Sequence, residues 1–184
     1  MRALQKLKSR AGFTLAETLL AVMILLLVSV IVARGVPVAK NVYEKVTLGA
    51  NAQVLLSTTV AALRDELGIA GNVKVEGTTI TYYSADTGAT SRIYLEGGPS
   101  SIMLQEYVGA DDMVPANAQA AQARRLVSAS AATGDLTVGY AAVSMSGGVI
   151  TFSNLEVRRS SGGGALASLE TLNIRNISAR GEGA

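Results

Sequence analysis

The stretch that decides the fold is GFTLAETL, residues 12–19, because it opens an apolar run that reaches Ala33. Between Phe13 and Ala33 only Glu17 is ionisable. A helix over these roughly 21 residues rises about 30 Å, which is the thickness of a bilayer's hydrocarbon core. A carboxylate inside such a helix costs on the order of 3 kcal/mol to insert, so Glu17 is expected to have a purpose and a partner.

A short basic segment precedes this run. The first twelve residues hold four Lys or Arg residues and no acid. Positive residues stay on the cytoplasmic side, so the segment orients the helix with its N-terminus inside and places everything after about Arg34 outside. The chain from Phe13 onward has 12 basic and 14 acidic residues, a net charge of −2, although the whole sequence has a pI near 9.0. We therefore expect no nucleic-acid partner.

The residues from Gly12 to Leu20 resemble the class III signal of type IV prepilins and of the pseudopilins of type II secretion and competence systems. The resemblance implies that a prepilin peptidase cleaves between Gly12 and Phe13 and that the new Phe13 amine is N-methylated. It also implies an assembly role for Glu17. The implied partners are the peptidase, other pilin or pseudopilin subunits in a homo- or hetero-oligomeric filament, the inner-membrane assembly platform and membrane lipid.

Two other interpretations of the same stretch remain open. A secretory signal peptide has an apolar region of about 7–15 residues and small residues at its cleavage site, whereas this run is longer and ends at Arg34–Pro37. An ordinary uncleaved signal anchor would make the motif accidental. The chain has no cysteine, which excludes a lipoprotein anchor and favours a pseudopilin or a Gram-positive pilin over a disulfide-looped pilin.

A second helical pattern follows the apolar run. Pro37 removes a backbone donor and predicts a helix break between the two parts. Residues 38–67 then show apolar side chains at helical spacing, and Gly68 suits a C-cap. We expect this outer half to pack on a sheet through five residues: Val42, Val46, Val54, Leu63 and Leu67.

Alternating β-rich runs fill the rest of the chain. They predict hairpins over 72–83 and 92–107, another alternating stretch formed by 149–152 and 155–158, and a last strand at 169–177. The expected fold class is α+β, a pilin-like long N-terminal helix packed on an antiparallel β-sheet. The expected segments are a leader (1–12), a transmembrane and assembly helix (13–34), its amphipathic outer half (35–68) and a sheet domain (69–184) with a loop insertion at about 109–135.

The composition also bears on catalysis. Histidine and cysteine are both absent, which excludes thiol nucleophiles, histidine-based triads and the usual zinc ligands. The adjacent acids Asp111 and Asp112 fit calcium ligands or, more simply, solvated loop charges. We predict no catalytic residue, no metal site and no cofactor.

Two classes of function remain. One is a structural subunit of a type IV pilus or of a secretion or competence pseudopilus, minor rather than major. The other is a monomeric membrane-anchored binding module at the cell surface. The first accounts for Gly12, Phe13 and Glu17 together, whereas the second leaves the cost of Glu17 unexplained. The expected location is a single-pass cell membrane protein, with its C-terminal domain outside and in a surface filament after assembly.

Overall fold

A computed structural model describes residues 14–96, 101–108, 119–120, 122–127 and 135–178. One helix, α1, spans Leu15–Gly68. The chain divides into two compact units within this helix, Met1–Lys45 and Val46–Ala184. The predicted segment limits at 34 and 68 stay predictions, since this division follows neither of them.

The helix is continuous through Pro37, so α1 does not end there, and the predicted kink or loosening at this helix break stays a prediction. Proline removes one backbone hydrogen bond and crowds the preceding turn. Here the turns on both sides keep their own hydrogen bonds, because a long helix loses only one bond of many where a single donor is missing.

The face of α1 that packs on the sheets differs from the predicted one. Leu63 and Leu67 are buried as expected, but Val42, Val46 and Val54 are all more than half exposed. Val54 precedes the buried Leu63 by nine residues, which at about 100° per residue places it on the opposite side of the helix. The buried face mixes steps of three and four residues: Ala52, Leu55, Leu56, Thr59, Leu63 and Leu67.

The described strands form two antiparallel sheets, whereas a single sheet was expected. The six-stranded sheet has the order β1-β2-β3-β4-β5, and β6 also pairs with β4. In the four-stranded sheet, β9 lies between β10 on one side and β7 and β8 on the other. The strand bounds are β1 Gly71–Glu76, β2 Thr79–Ser84, β3 Ala89–Glu96, β4 Ser101–Val108, β5 Gln119–Ala120, β6 Arg124–Arg125, β7 Leu136–Gly139, β8 Ala142–Ser146, β9 Val149–Arg159 and β10 Ala167–Arg175.

Both predicted hairpins are present as antiparallel pairs. In the first, Glu76 lies opposite Thr79, so the loop has two residues, and Gly77 takes the left-handed conformation with φ +60°. Such loops favour glycine because a Cβ atom would be strained there. The second pair joins β3 to β4 in continuous register. The predicted insertion at 109–135 lies mostly outside the described residues.

The four-stranded sheet departs most from expectation. The alternating stretch predicted from 149–152 and 155–158 is one continuous strand, β9, in which Asn154 takes the left-handed conformation with φ +55°. Strands β7 and β8 were not predicted, and they follow one another along the same edge of β9 on either side of Asn154. Both strands pair with β9 in one register, and the interruption between them falls at Tyr140 and Ala141.

One apolar core joins the buried face of α1 to both sheets. Its fully buried side chains include Leu63 from α1, Ile80 and Ile93 from the larger sheet, and Ile150 and Phe152 from the smaller sheet. Burial of such side chains contributes about 1.5–3 kcal/mol each. This shared core establishes the α+β arrangement, with the long helix packed on antiparallel sheets.

Two buried tyrosines tie the core together through their hydroxyl groups. Tyr82 donates to the Glu66 carboxylate of α1 at 2.8 Å, which joins sheet to helix. Tyr140 donates to the Thr78 carbonyl at 2.6 Å, and its ring meets Phe152 edge-on at 5.0 Å between centroids, which joins the two sheets. Burial raises the pKa of both phenols, and the Glu66 carboxylate raises that of Tyr82 further.

The C-terminal end of α1 is held by the residues that follow β10. The buried Asn176 side chain donates to the carbonyls of Leu67 at 2.9 Å and Ala70 at 2.8 Å. The Ile177 amide donates to the Gly68 carbonyl at 2.9 Å. These bonds satisfy carbonyl groups that a helix end leaves without partners.

The burial pattern of α1 predicts that truncation to alanine changes the free energy of unfolding much more at Leu63 than at Val54. Leu63→Ala should lower the free energy of unfolding by about 2–5 kcal/mol, because Leu63 is fully buried. Val54→Ala, at 56% exposure, should change it by less than about 0.5 kcal/mol. Unfolding of the full chain in detergent micelles measures both, and equal effects would show that the assigned buried face is wrong.

The buried phenols predict a loss of stability at alkaline pH. A raised folded-state pKa gives a contribution that is complete below about pH 10, the ordinary tyrosine value, and falls as the pH rises above it. Two of the six tyrosines should therefore form tyrosinate only when the chain unfolds, which an ultraviolet absorbance titration measures. A variant with both Tyr82→Phe and Tyr140→Phe should lose this unfolding-linked step. Complete ionisation of all six in the folded wild-type chain would contradict the assignment.

Candidate functional site

The N-terminal end of α1 carries the one acid of the apolar run. The Glu17 carboxylate accepts hydrogen bonds from the Thr14 amide at 2.9 Å and from the Thr14 hydroxyl at 3.1 Å. The Thr14 hydroxyl oxygen in turn accepts from the Glu17 amide at 3.3 Å. Threonine and glutamate three residues apart thus form a capping box, which satisfies amide groups that the first helical turn leaves open.

The cap leaves part of the carboxylate available. Both bonds from Thr14 end on Glu17 Oε2, and within the part of the chain that the structure describes no donor reaches Oε1. A carboxylate has about four lone-pair sites, so it can accept from Thr14 and from a further donor together. A negative charge at a helix N-terminus is also stabilised by the positive end of the helix dipole. The geometry directs the Glu17 carboxylate toward the start of the helix.

The surface that follows is continuously apolar. The large hydrophobic side chains from Leu15 to Val32 are all at least half exposed. Two hydroxyl groups inside this run bond back to the helix, Thr18 to the Leu15 carbonyl and Ser29 to the Leu25 carbonyl, both at 2.8 Å. By length and composition α1 is a candidate membrane-spanning helix near the N-terminus.

The structure describes only some of the other predicted site residues. Gly12 and Phe13 lie outside the described residues, as do Asp111 and Asp112. Pro37 lies within α1. Among the residues that the structure describes, no group of three or more His, Cys, Asp or Glu side chains is placed to hold a metal ion.

A second polar region lies near Asn154 of β9. A cleft of about 250 Å³ is lined there by residues that include Tyr140, Asn154, Glu156 and Arg158. Arg158 donates to the Glu156 carboxylate through Nε at 2.7 Å and also through Nη2. This bond lowers the pKa of Glu156, so its carboxylate stays ionised and paired and is poorly suited to transfer a proton.

The capping box has a sequence signal, although the predicted site did not include Thr14. Thr14 and Glu17 match the pattern in which Ser or Thr precedes Glu or Gln by three residues just before an apolar run. The conformation of Asn154 has no comparable signal, because a left-handed asparagine inside a strand depends on which strands pair beside it.

No family model, no curated protein and no solved structure matches this chain.

Proposed function

We propose that this protein is a structural subunit, minor rather than major, of a type IV pilus or of a type II secretion or competence pseudopilus. The observation that carries the proposal is the start of α1. There, one carboxylate is held at the end of a helix whose following apolar side chains are exposed as far as Val32. An apolar surface of this length needs lipid or other helices around it.

The first step in this proposal is cleavage after Gly12. A membrane-embedded prepilin peptidase removes the basic leader and N-methylates the Phe13 amine. The cut leaves a positively charged amino group at Phe13, next to Thr14 and one helical turn from Glu17. The chain thereby gains a cation at the point where the apolar run carries its only anion.

The second step is assembly of the helices into a filament. In a bundle, the Phe13 ammonium of one subunit meets the Glu17 carboxylate of its neighbour. The cap supports this pairing, since it orients the carboxylate and leaves Oε1 for a donor from outside. Two opposite charges that leave water together offset part of the desolvation cost of each, and an unpaired carboxylate disfavours the wrong axial register. The apolar surface supplies adhesion, whereas the charge pair fixes position.

The proposed location follows from the same features. The leader stays in the cytoplasm, the helix crosses the membrane once, and the sheet domain lies outside. The inner-membrane assembly platform moves the subunit from lipid into the surface filament. The protein acts through structure alone in this proposal, without catalysis, metal or cofactor.

The alternative is a monomeric surface module anchored by α1. The capping box gives that alternative an explanation for Glu17, because a cap stabilises a helix by about 1 kcal/mol. The two functions are therefore distinguished by whether the charge of Glu17 is needed, and not by whether its side chain is needed.

Processing is tested at the cleavage site. Gly12→Val should leave an uncleaved precursor in the membrane, because the peptidase draws extended backbone into a narrow site that a side chain would obstruct. Gly35→Val is the matched control, since Gly35 lies beyond the proposed cleavage site and an added Cβ there meets nothing within 4 Å. Mass spectrometry of the N-terminus measures the outcome. A mature N-terminus at Phe13 in the Gly12→Val variant would refute cleavage by this route.

Assembly is tested by three substitutions at Glu17. Glu17→Ala removes cap and charge, Glu17→Gln keeps a capping side chain without the charge, and Glu17→Asp keeps the charge on a shorter side chain. We expect all three to be cleaved and membrane-bound. Alanine and glutamine should reduce incorporation into sheared filaments about tenfold or more, a change of roughly 1.4 kcal/mol, and aspartate should reduce it less.

The control is Glu44→Ala, which removes an exposed acid of the same helix from its pair with Lys40. It should assemble like the wild type. Normal incorporation of Glu17→Gln would show that the side chain serves only as a cap and would favour the monomeric anchor.

A further inference from the structure

The six-stranded sheet has an outer face that the core does not use. Residues directly opposite each other in antiparallel strands point to the same side, and the buried Ile80 and Ile93 mark the inner side. The outer side therefore carries a row across four strands, namely Lys74, Thr81, Arg92 and Gln105, flanked by Tyr83 and Tyr94. We call these six residues the outer tyrosine–arginine face.

Arg92 lies at the centre of this face with unused hydrogen-bonding capacity. Its guanidinium lies over the Tyr94 ring, 4.6 Å from the centroid. Its Nε atom is buried and has no hydrogen-bond partner among the residues that the structure describes. Within the same ranges, Arg92 belongs to none of the ion pairs. Because Nε is buried, the donors of Arg92 that remain for a ligand are those of the two terminal Nη groups, which suit a carboxylate.

The tyrosines on either side give this face room for an extended ligand. Tyr83 and Tyr94 are half-buried, so each ring is fixed by its neighbours while part of it stays accessible. Tyr83 lies opposite Thr90, four residues before Tyr94 on β3. The two tyrosine Cα atoms are therefore about 14 Å apart, from the rise per residue and the spacing between strands. This separation suits a chain of several units and exceeds one small ring.

The charges of the face select the kind of chain. Glu76 and Glu96 lie on the same side of the sheet as Arg92, at the outer edge and at the end of a strand. Three cations lie on this side: Lys74, Arg92 and the exposed Arg125, which is opposite Met103. They are separated by these acids and by uncharged groups such as Thr81 and Gln105. A nucleic acid, with a phosphate at every unit, requires a dense basic surface. Hydroxyl-rich rings with an occasional carboxylate match partly exposed tyrosines, polar side chains and one central arginine.

We propose that the outer tyrosine–arginine face binds an acidic polysaccharide. Sugar rings lie on Tyr83 and Tyr94, and a uronate carboxylate accepts hydrogen bonds from the terminal Nη groups of Arg92. Thr81 and Gln105 lie in the same row as Arg92 and face the sugar hydroxyls. The inference is independent of filament assembly, since it uses a different part of the molecule from Glu17.

The test measures binding of polygalacturonate oligomers to the full chain in detergent micelles by calorimetry. Arg92→Gln should weaken binding about tenfold or more, as expected for the loss of a charge-assisted pair. Arg175→Gln, which removes the same charge from the exposed end of β10 in the other sheet, should leave affinity unchanged. Tyr94→Leu should weaken binding, whereas Tyr94→Phe keeps the ring and should retain it. Thermal unfolding of each variant verifies that the fold is intact.

Neutral dextran and a single-stranded oligothymidylate serve as comparison ligands. The proposal requires that the wild type prefer polygalacturonate to both. It is overturned if the wild type does not bind polygalacturonate, if Arg92→Gln binds it as tightly as the wild type, or if dextran binds equally well. Tighter binding of the oligothymidylate would overturn it as well and would assign the face to single-stranded nucleic acid.

Discussion

The globular unit depends on one contact, the packing of the buried face of α1 on two sheets. Neither sheet forms a closed core alone, because each has one apolar side that needs a cover. The helix supplies this cover, and its Leu63 side chain is fully buried in the core. The hydrogen bond from Tyr82 to Glu66 fixes the position of the helix on the larger sheet. The same continuous helix also carries the exposed apolar run, so one backbone holds both an exposed apolar segment and a face that is buried in the core.

Local features of the sequence were enough for the predictions that succeeded. The period of two and the turn residues near Gly77 predicted the first hairpin, because a two-residue loop fixes register within a few residues. The predicted buried face of α1 was partly wrong because it joined two apolar runs that lie on different sides of the helix. Val54 is nine residues before Leu63, about 180° away around the helix, and is exposed. The division into two sheets was missed for another reason. It depends on β7 and β8 sharing an edge of β9, a long-range choice that periodicity does not contain.

For the candidate sites too, features set by neighbouring residues could be predicted from the sequence, whereas features set by strand pairing could not. Glu17 was identified from sequence because an acid in an apolar run is costly wherever the chain folds. Thr14 lies in the same few residues but was not predicted, since its role is helix capping and the prediction rested on charge. Arg92 was beyond reach of the sequence. Arg92 and Tyr94 share a face because they lie two residues apart on β3. Their place in the middle of a sheet arises from the pairing of β3 with β2 and β4, which an arginine between Ser91 and Ile93 does not indicate.

The bonds from Asn176 to the end of α1 bear on the order in which the chain folds. They join residues 109 and 106 positions apart, so the carbonyls of Leu67 and Ala70 gain these partners only after Asn176 has been synthesised. Closing so long a loop is entropically costly and slows folding. During synthesis the helix is thus complete long before the Asn176 bonds that hold its C-terminal end can form. Until then the apolar core side of α1 lacks its last strand, β10, and is exposed to other binding partners such as chaperones.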